Sequence, residues 1–257
     1  FVLTYKAMLN QDKNPNKFVD TEINYDQWRR MIMSFGFGDR LKVDLPNIKS
    51  GNIPSNKYYD KLYGDLHWKF STIYSLGIGQ GEVLVIPIQM ANMAAGIANR
   101  GWFYTPHLIK GLGKSMRLPE EYKVKNKIEA SPEHFQAVID GMQLVMEGGT
   151  ARYYGFVPGM DICGKTGTAQ NPHGEDHAAF IAFAPKDNPK IAIAAYVENA
   201  GFGGSWAAPI ATLMMEKYLN DSISRPKIEK YILDKDFIGR KKKDTTDAIG
   251  RTVTQKP

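Results

Sequence analysis

The sequence predicts an α+β fold in which helices flank an antiparallel sheet. Apolar residues recur at helical spacing in several segments between residues 25 and 147, and the pattern then changes to that of strands between 162 and 197. A last helical pattern follows at residues 205–219. Because helices and strands are segregated along the chain, the layout is that of an α+β fold.

The first well-formed helix is predicted at residues 25–35. Asn24 can cap its start, Gln27 stands in capping-box register with that cap, and Gly36 ends it. Residues 1–9 also have helical spacing, but they show neither a cap nor an initiator methionine. We therefore expect the chain to be a fragment that begins inside a helix. Residues 37–70 are rich in Gly, Pro, Asn and Tyr and predict a long, partly ordered loop region.

Two further helices are predicted before the strands. Pro87 opens the first of them, because proline is tolerated in the first turn of a helix. Residues 111–130 are polar and irregular and predict a surface excursion. Ser131 and Pro132 then supply an N-cap and a first helical residue for a strongly amphipathic helix, which ends at Gly148.

Three strands are predicted, at residues 162–170, 178–184 and 190–197. The turn at residues 186–189 is short, so the last two strands should form an antiparallel hairpin. The closing helix, at residues 205–219, should pack back on this sheet. Together these elements predict one antiparallel sheet with helices against it.

Beyond Ser222 the chain is charged and weakly patterned, and we expect a basic tail over residues 222–257 that is largely disordered past residue 241. The whole chain has 33 Lys and Arg against 27 Asp and Glu, a formal net charge of +6, and much of this excess lies in the tail. A solvated tail is the simplest interpretation, and contact with an anionic membrane surface is the alternative. Nucleic-acid binding would require a basic face interleaved with aromatic residues, which the sequence lacks.

The cysteine and histidine pattern predicts no metal site. Cys163 is the only cysteine, so an intramolecular disulfide is excluded, and we expect it to be a small buried apolar residue. His173 and His177 do not have the spacing of metal ligands. Asp176 and His177 should instead order the start of the next strand. No apolar run approaches the length of a membrane span.

The stretch that carries chemistry is Lys-Thr-Gly-Thr at residues 165–168. In a strand, Lys165 and Gly167 face one way, and the two threonines face the other. Gly167 has no side chain, so a substrate backbone could approach closely, and an edge strand could pair with an extended peptide. A lysine ammonium and two hydroxyls beside that edge can bind a carboxylate.

Further motifs along the chain, taken in order, relate the Lys-Thr-Gly-Thr stretch to a protein family. In this order, the chain resembles the C-terminal part of the transpeptidase domain of class B penicillin-binding proteins of the elongation type, over residues 1 to about 219. The segments that carry the resemblance are Phe35-Gly36-Phe37-Gly38, Asp44-Leu45-Pro46, Ser50-Gly51-Asn52-Ile53-Pro54, Gly77-Ile78-Gly79-Gln80-Gly81, Pro87-Ile88-Gln89-Met90, Gly149-Thr150-Ala151, Lys165-Thr166-Gly167-Thr168-Ala169-Gln170, Asp176-His177-Ala178 and Gly203-Gly204-Ser205-Trp206.

The resemblance implies a partial fold of the penicillin-binding protein and serine β-lactamase type and a D,D-transpeptidase activity. It implies that residues 1–221 are the C-terminal part of the transpeptidase domain. Lys165 and Thr168 would be catalytic, Lys165 through its positive potential and Thr168 through a backbone N–H that donates to the oxyanion. Thr166, Gly167, Thr168 and Gln170 would bind the substrate, with the two threonines holding its carboxylate.

The family's nucleophile is the serine of a Ser-x-x-Lys motif, and the sequence has no such motif in a suitable position. Ser224-Arg225-Pro226-Lys227 matches Ser-x-x-Lys literally, but its proline opposes the helical turn that would aim the lysine at the serine. Ser50-Gly51-Asn52 matches a Ser-x-Asn triplet but lies in a predicted loop. We therefore expect this chain to be inactive by itself. A division-type transpeptidase, a β-lactam sensor and a non-catalytic cell-wall scaffold remain alternatives.

The resemblance also implies partners and a location. The substrate would be the stem peptide of peptidoglycan, and β-lactam antibiotics would acylate the parent protein. A membrane glycosyltransferase and other proteins of the elongation complex would be its partners. The parent would lie at the periplasmic face of the bacterial inner membrane, anchored by a segment outside this chain. No metal or organic cofactor is implied.

Overall fold

The computed structural model describes residues 14–39 and 41–236. The described helices are α1 (Lys17–Ser34), α2 (Asn56–Tyr63), α3 (Phe70–Ile73), α4 (Pro87–Ala98), α5 (Pro132–Glu147), α6 (Arg152–Gly155), α7 (Ala207–Asn220) and α8 (Pro226–Leu233). The strands are β1 (Trp102–Tyr104), β2 (Lys125–Lys127), β3 (Cys163–Ala169), β4 (His177–Ala184) and β5 (Ile191–Val197). The helical pattern predicted at residues 1–9 lies outside the described residues.

The strands β3, β4 and β5 form the antiparallel sheet that the sequence predicts. Neighbouring strands pair in the order β3-β4-β5, and Thr166 on β3 stands opposite Phe180 on β4. The β4–β5 hairpin is in register, with Phe180 opposite Ala195. Each strand agrees with its predicted range to within about a residue at either end. The α+β fold class is therefore confirmed.

Helices cover both faces of this sheet because its side chains alternate in direction. Phe180 and Ala182 on β4 belong to a buried cluster that includes Ala208 and Met215 of α7. Phe183 on β4 and Cys163 on β3 belong to a second buried cluster, on the other face, with residues of α4 and α5. The helices predicted to begin at Pro87 and Pro132 and the closing helix are thus confirmed, and they hold the sheet from both sides.

The start of the first helix differs from the prediction. Helix α1 begins at Lys17, eight residues before the predicted start, and its cap is Asn16, whose Oδ1 accepts a hydrogen bond from the Phe18 N–H at 3.0 Å. Asn24, predicted to be the cap, is instead buried within the helix and donates to the Asp20 carboxylate at 3.0 Å. Because polar residues are buried in the first turns of α1, the sequence there lacks the apolar periodicity that would predict a helix.

Residues 37–70, predicted to be a loop region, contain helix α2, a short 3₁₀ turn (Gly64–Leu66) and the start of α3. The helices are held by a third buried cluster, most of whose side chains are aromatic. The Tyr59 ring lies 5.6 Å from that of Tyr25 and 5.3 Å from that of Trp68. Aromatic contacts between segments that are distant in sequence give this region an ordered structure that local composition does not predict.

Two other segments contain elements that were not predicted. Within residues 111–130, predicted to be an irregular excursion, β2 pairs antiparallel with β1. After Ser222, where weak patterning predicted no element, helix α8 packs against α7 and the residues around it. The disorder predicted past residue 241 lies outside the described residues. The division of the chain at residue 221 stays a prediction.

Replacing Gly141 by alanine should stabilise the folded chain. Gly141 lies inside α5, is exposed, and has no atom within 4 Å of the position that a Cβ would take. Glycine in a helix interior costs about 0.5–1 kcal/mol relative to alanine, because the unfolded chain loses more conformational entropy. We expect the free energy of unfolding to rise by about that amount in chemical denaturation. An unchanged or lower value would show that this part of α5 is not helical in solution.

Candidate functional site

Strand β3 carries the predicted site residues at the edge of the sheet. It pairs with β4 along one side only, and among the described strands none pairs with its other side. Lys165 and Thr168 are exposed, and Thr166 and Gly167 are half-buried. The edge therefore offers backbone groups that can pair with an extended peptide, next to a cation and two hydroxyls.

The Lys165 ammonium has no carboxylate partner among the described residues. Its Nζ donates to the carbonyl oxygen of Thr166 at 2.7 Å, which bends the side chain back along its own strand. A lysine without a counter-ion presents a positive potential to any anion that approaches the edge. This arrangement suits the binding of a carboxylate rather than a structural ion pair.

The hydroxyl of Thr166 is held by a second threonine. Thr150 Oγ1 and Thr166 Oγ1 lie 2.7 Å apart, and either can donate. Thr150 lies between the end of α5 and α6, in the Gly149-Thr150-Ala151 segment that contributed to the family resemblance. The sequence indicated this segment as context but did not predict the contact, which joins residues 16 positions apart.

Two glycines before α7, Gly203 and Gly204, allow the chain there to pack closely against its neighbours at the site. A Cβ at Gly203 would lie 2.3 Å from the Ala179 carbonyl oxygen and 2.4 Å from that of Gly167. A Cβ at Gly204 would lie 2.3 Å from the Thr150 carbonyl oxygen. No side chain fits at these distances, so Gly203 is required for contact with the site strand and Gly204 for contact with Thr150. In the sequence they stand only among the segments that carry the family resemblance, and the Gly-Gly pair is the signal of this close approach.

A cavity of about 880 Å³ opens at the end of β3. Gln170, the last of the predicted site residues, lines it together with Ala169 and Tyr196. Its lining also includes Gly79, Gln80 and Gly81, from a glycine-rich segment that carries part of the family resemblance. The cavity thus extends the site beyond Lys165–Thr168 and places Gln170 where it can contact a ligand.

The turn between β3 and β4 is held by polar contacts. Asp176 Oδ1 accepts the Asn171 N–H at 3.1 Å, and Asn171 Nδ2 donates to Asn199 Oδ1 at 2.7 Å. His177 Nδ1 accepts the Asn199 N–H at 3.0 Å, so the neutral ring carries its proton on Nε2. Asp176 and His177 therefore order the start of β4, as predicted, and stiffen the wall of the cavity.

Cys163 begins the site strand but takes no part in its chemistry. The side chain is fully buried among Phe183 and the residues of α4 and α5. Burial raises the pKa of the thiol to about 11, so it stays protonated at neutral pH. The prediction of a small buried apolar residue is confirmed.

The two literal motif matches have structural roles. The Ser224 hydroxyl donates to the carboxylate of Glu216, a residue of α7, and the Ser224 backbone N–H donates to the same carboxylate at 2.7 Å. The Ser50 hydroxyl donates to the Gly51 carbonyl oxygen at 3.1 Å. Asn52, the third residue of the Ser-x-Asn match, forms a β-bridge with Leu84. Neither serine stands with a lysine as an activated nucleophile would.

Comparison with known proteins identifies the family. A family described as penicillin binding protein transpeptidase domain matches residues 5–216. Peptidoglycan D,D-transpeptidase MrdA of Haemophilus influenzae is 33% identical over 225 residues, which are 80% of this chain and 34% of that protein. The MrdA protein of Escherichia coli K12 is 29% identical over 217 residues, 76% of this chain and 33% of that protein. The chain thus spans about a third of the length of these curated relatives.

Solved structures agree with this assignment. The structure of Pseudomonas aeruginosa PBP2 in complex with WCK 5153 is 34% identical, with a TM-score of 0.66 over 79% of this chain and 46% of that chain. PBP2 of Helicobacter pylori, solved in complex with MreC, is 26% identical, with a TM-score of 0.64 over 84% of this chain and 38% of that chain. With its Lys-Thr-Gly-Thr strand at the sheet edge, this chain belongs to the penicillin-binding protein transpeptidase domain family.

Proposed function

We propose that the protein of which this chain is a part is a peptidoglycan D,D-transpeptidase. The observation that carries the proposal is the edge strand β3, which presents Lys165, Thr166 and Thr168 beside an open cavity. A donor stem peptide ends in a carboxylate, and these groups form a carboxylate-binding set. Residues 1–221 would supply the substrate-binding wall of the domain, and the serine nucleophile would come from a segment outside this chain.

The proposed reaction proceeds in two steps. The serine oxygen forms a bond with the carbonyl carbon of the penultimate D-alanine, the bond to the terminal D-alanine breaks, and the leaving amine takes a proton. The amine of a second stem peptide then attacks the acyl-enzyme, which releases the serine and forms the cross-link. A β-lactam would acylate the same serine by opening its ring.

The residues of β3 would support both steps without forming a covalent bond. Lys165 would supply positive potential near the nucleophile, and the two threonine hydroxyls would hold the substrate carboxylate. The backbone N–H of Thr168 would donate to the oxyanion of the tetrahedral intermediate. Gly167 would admit the substrate backbone, and Gln170 would contact the peptide where the strand meets the cavity.

We further propose that the parent works in cell elongation at the periplasmic face of the inner membrane. Support comes from the similarity to the MrdA proteins and to Helicobacter pylori PBP2, which was solved with MreC. A protein of the MreC kind and a membrane glycosyltransferase would be its partners. Within the described ranges, no helix combines the length and apolarity needed to cross a bilayer.

Labelling with a fluorescent penicillin tests the proposed function. The full-length parent should form a covalent adduct that survives denaturation, whereas the isolated chain of 257 residues should form none, because it lacks a serine with an activating lysine. Mass spectrometry should map the adduct outside this chain.

Two outcomes would contradict this scheme. An adduct on Ser224 or Ser50 would show that a serine in the present chain is reactive. A parent protein that folds but is not labelled would favour the non-catalytic scaffold, which could still bind peptidoglycan or the elongation proteins.

A further inference from the structure

A buried ion pair lies behind the sheet, between α7 and α8. Glu216 is 1% exposed and Arg225 is 10% exposed, and Arg225 Nε lies 3.1 Å from Glu216 Oε2. Glu216 also accepts the backbone N–H and the hydroxyl of Ser224. Burial opposes ionisation of this carboxyl, but the hydrogen bonds from Ser224 and Arg225 outweigh it, so its pKa lies below the ordinary value. The pair is therefore charged at neutral pH.

The Arg225 guanidinium extends from this pair to helix α6. One terminal nitrogen donates to the carbonyl oxygens of Tyr154 (3.1 Å) and Phe156 (3.2 Å), and the other donates to the Thr212 hydroxyl at 3.1 Å. The two carbonyls are at the C-terminal end of α6, where carbonyl groups lack partners within the helix and a cation is favoured. Arg225 thus binds α6 to α7 through all three of its nitrogens.

The segment entering α6 carries the residue that holds the site strand. Thr150 lies four residues before Tyr154, in the turn that leads into α6, and its hydroxyl contacts that of Thr166 at 2.7 Å. Its carbonyl oxygen is packed against Gly204, which allows no Cβ there. Arg225 contacts one end of this short segment and Thr166 contacts the other, so the segment connects the two residues.

Helix α8 covers this connection with a stack of aromatic rings. The Tyr231 ring lies 5.0 Å from that of Trp206 and 5.3 Å from that of Tyr154, with interplanar angles of 11° and 10°. Tyr154 is thus fixed by its ring as well as by its carbonyl oxygen.

We propose that Arg225 is a positioning residue for the site strand, because it fixes α6 and thereby the Thr150 hydroxyl that orients Thr166. The proposal rests on the proposed function, since Thr166 would hold the carboxylate of the stem peptide or of penicillin. Arg225 itself contacts neither the strand nor the ligand. Its effect should therefore appear in the binding of the carboxylate and should depend on Thr150.

The test uses the full-length parent protein and a chromogenic or fluorescent penicillin. Arg225→Ala should lower the second-order acylation constant about tenfold, because small displacements of a binding group reduce rates steeply. Most of the loss should lie in the dissociation constant of the non-covalent complex rather than in the acylation step. Thr150→Val should have a similar effect, and the double variant should be no worse than Thr150→Val alone.

A control separates positioning from stability. Leu213→Ala, on α7, removes a buried side chain that is not part of the Arg225 contacts and should lower the melting temperature without changing acylation. Arg225→Lys keeps the charge but cannot satisfy the same acceptors, so it should show the acylation defect even if Arg225→Ala does not fold.

Three results would decide against the proposal. Wild-type acylation constants in Arg225→Ala or Arg225→Lys, measured well below their melting temperatures, would make Arg225 structural only. Effects of Arg225→Ala and Thr150→Val that multiply in the double variant would show that Arg225 does not act through Thr150. Absence of acylation in the folded wild-type parent would overturn the proposed function and this inference with it.

Discussion

Replacing Lys165 by alanine in the full-length parent should lower the rate of acylation by penicillin about 10²- to 10³-fold, the usual effect of removing one pre-organised electrostatic group. The side chain is exposed and bonds only to the carbonyl oxygen of its neighbour Thr166 among the described residues. Its charge is therefore available to a ligand, and its removal withdraws positive potential from the carboxylate and from the oxyanion as it forms.

The same substitution should leave stability nearly unchanged. Lys165 forms no ion pair with a described residue, and exposed substitutions of this kind change the free energy of unfolding by about 0.5 kcal/mol or less. Lys190→Ala is a matched control, because Lys190 is an exposed lysine next to β5 of the same sheet, and its ammonium donates to Asn188 Oδ1. Stopped-flow acylation and thermal unfolding of the three proteins provide the comparison. If Lys165→Ala is acylated within a factor of about two of wild type, Lys165 is not part of the site.

Much of the sheet and its helices could be predicted because each element carries its own signal. The strands β4 and β5 are short apolar runs that end at turn residues, and α5 begins at Ser131-Pro132 and has one apolar face. In these elements the local pattern and the tertiary environment agree. A helix or strand can be predicted from the sequence when its buried residues recur at the period of that one type of element.

The end of α1 was predicted, but its start and helix α2 were not, because the packing there is aromatic and partly polar. Asp20, Thr21 and Asn24 are buried in α1, so that helix lacks the apolar stripe that would have revealed its start. Tyr59 and Trp68 pack on Tyr25 across more than 30 residues of chain. Contacts of this kind depend on the fold as a whole, and they produce no periodic pattern of apolar residues in the local sequence.

The residues of the candidate site carry a signal in the sequence, whereas the residues that support them do not. Lys165, Thr166, Gly167 and Thr168 carry a recognisable motif, and the structure places them on an edge strand as expected. The contacts that hold this strand come from Thr150 and from the chain around Gly203, which are distant in sequence. A motif indicates which residues meet the ligand, whereas the residues that fix them are determined by close approach in three dimensions.

Gly203→Ala should therefore have a large effect, although Gly203 has no functional group. An alanine Cβ would lie 2.3 Å from the Ala179 carbonyl oxygen and 2.4 Å from the Gly167 carbonyl oxygen, far inside van der Waals contact. Both clashes are with backbone, which cannot rotate away as a side chain can. The segment before α7 or the site strand must move, at a cost of about 1–3 kcal/mol in the free energy of unfolding.

Movement of β3 should also impair the chemistry of the parent protein. A displacement of about 1 Å at the groups that position a substrate can reduce a rate about 10²-fold, and we expect a loss of that order in penicillin acylation. Gly141→Ala is the matched control, since it makes the same chemical change at an exposed helical position with free space and should acylate normally. Denaturant unfolding and acylation kinetics of both variants give the comparison. A Gly203→Ala protein with wild-type stability and acylation would show that the chain before α7 does not pack against β3 in solution.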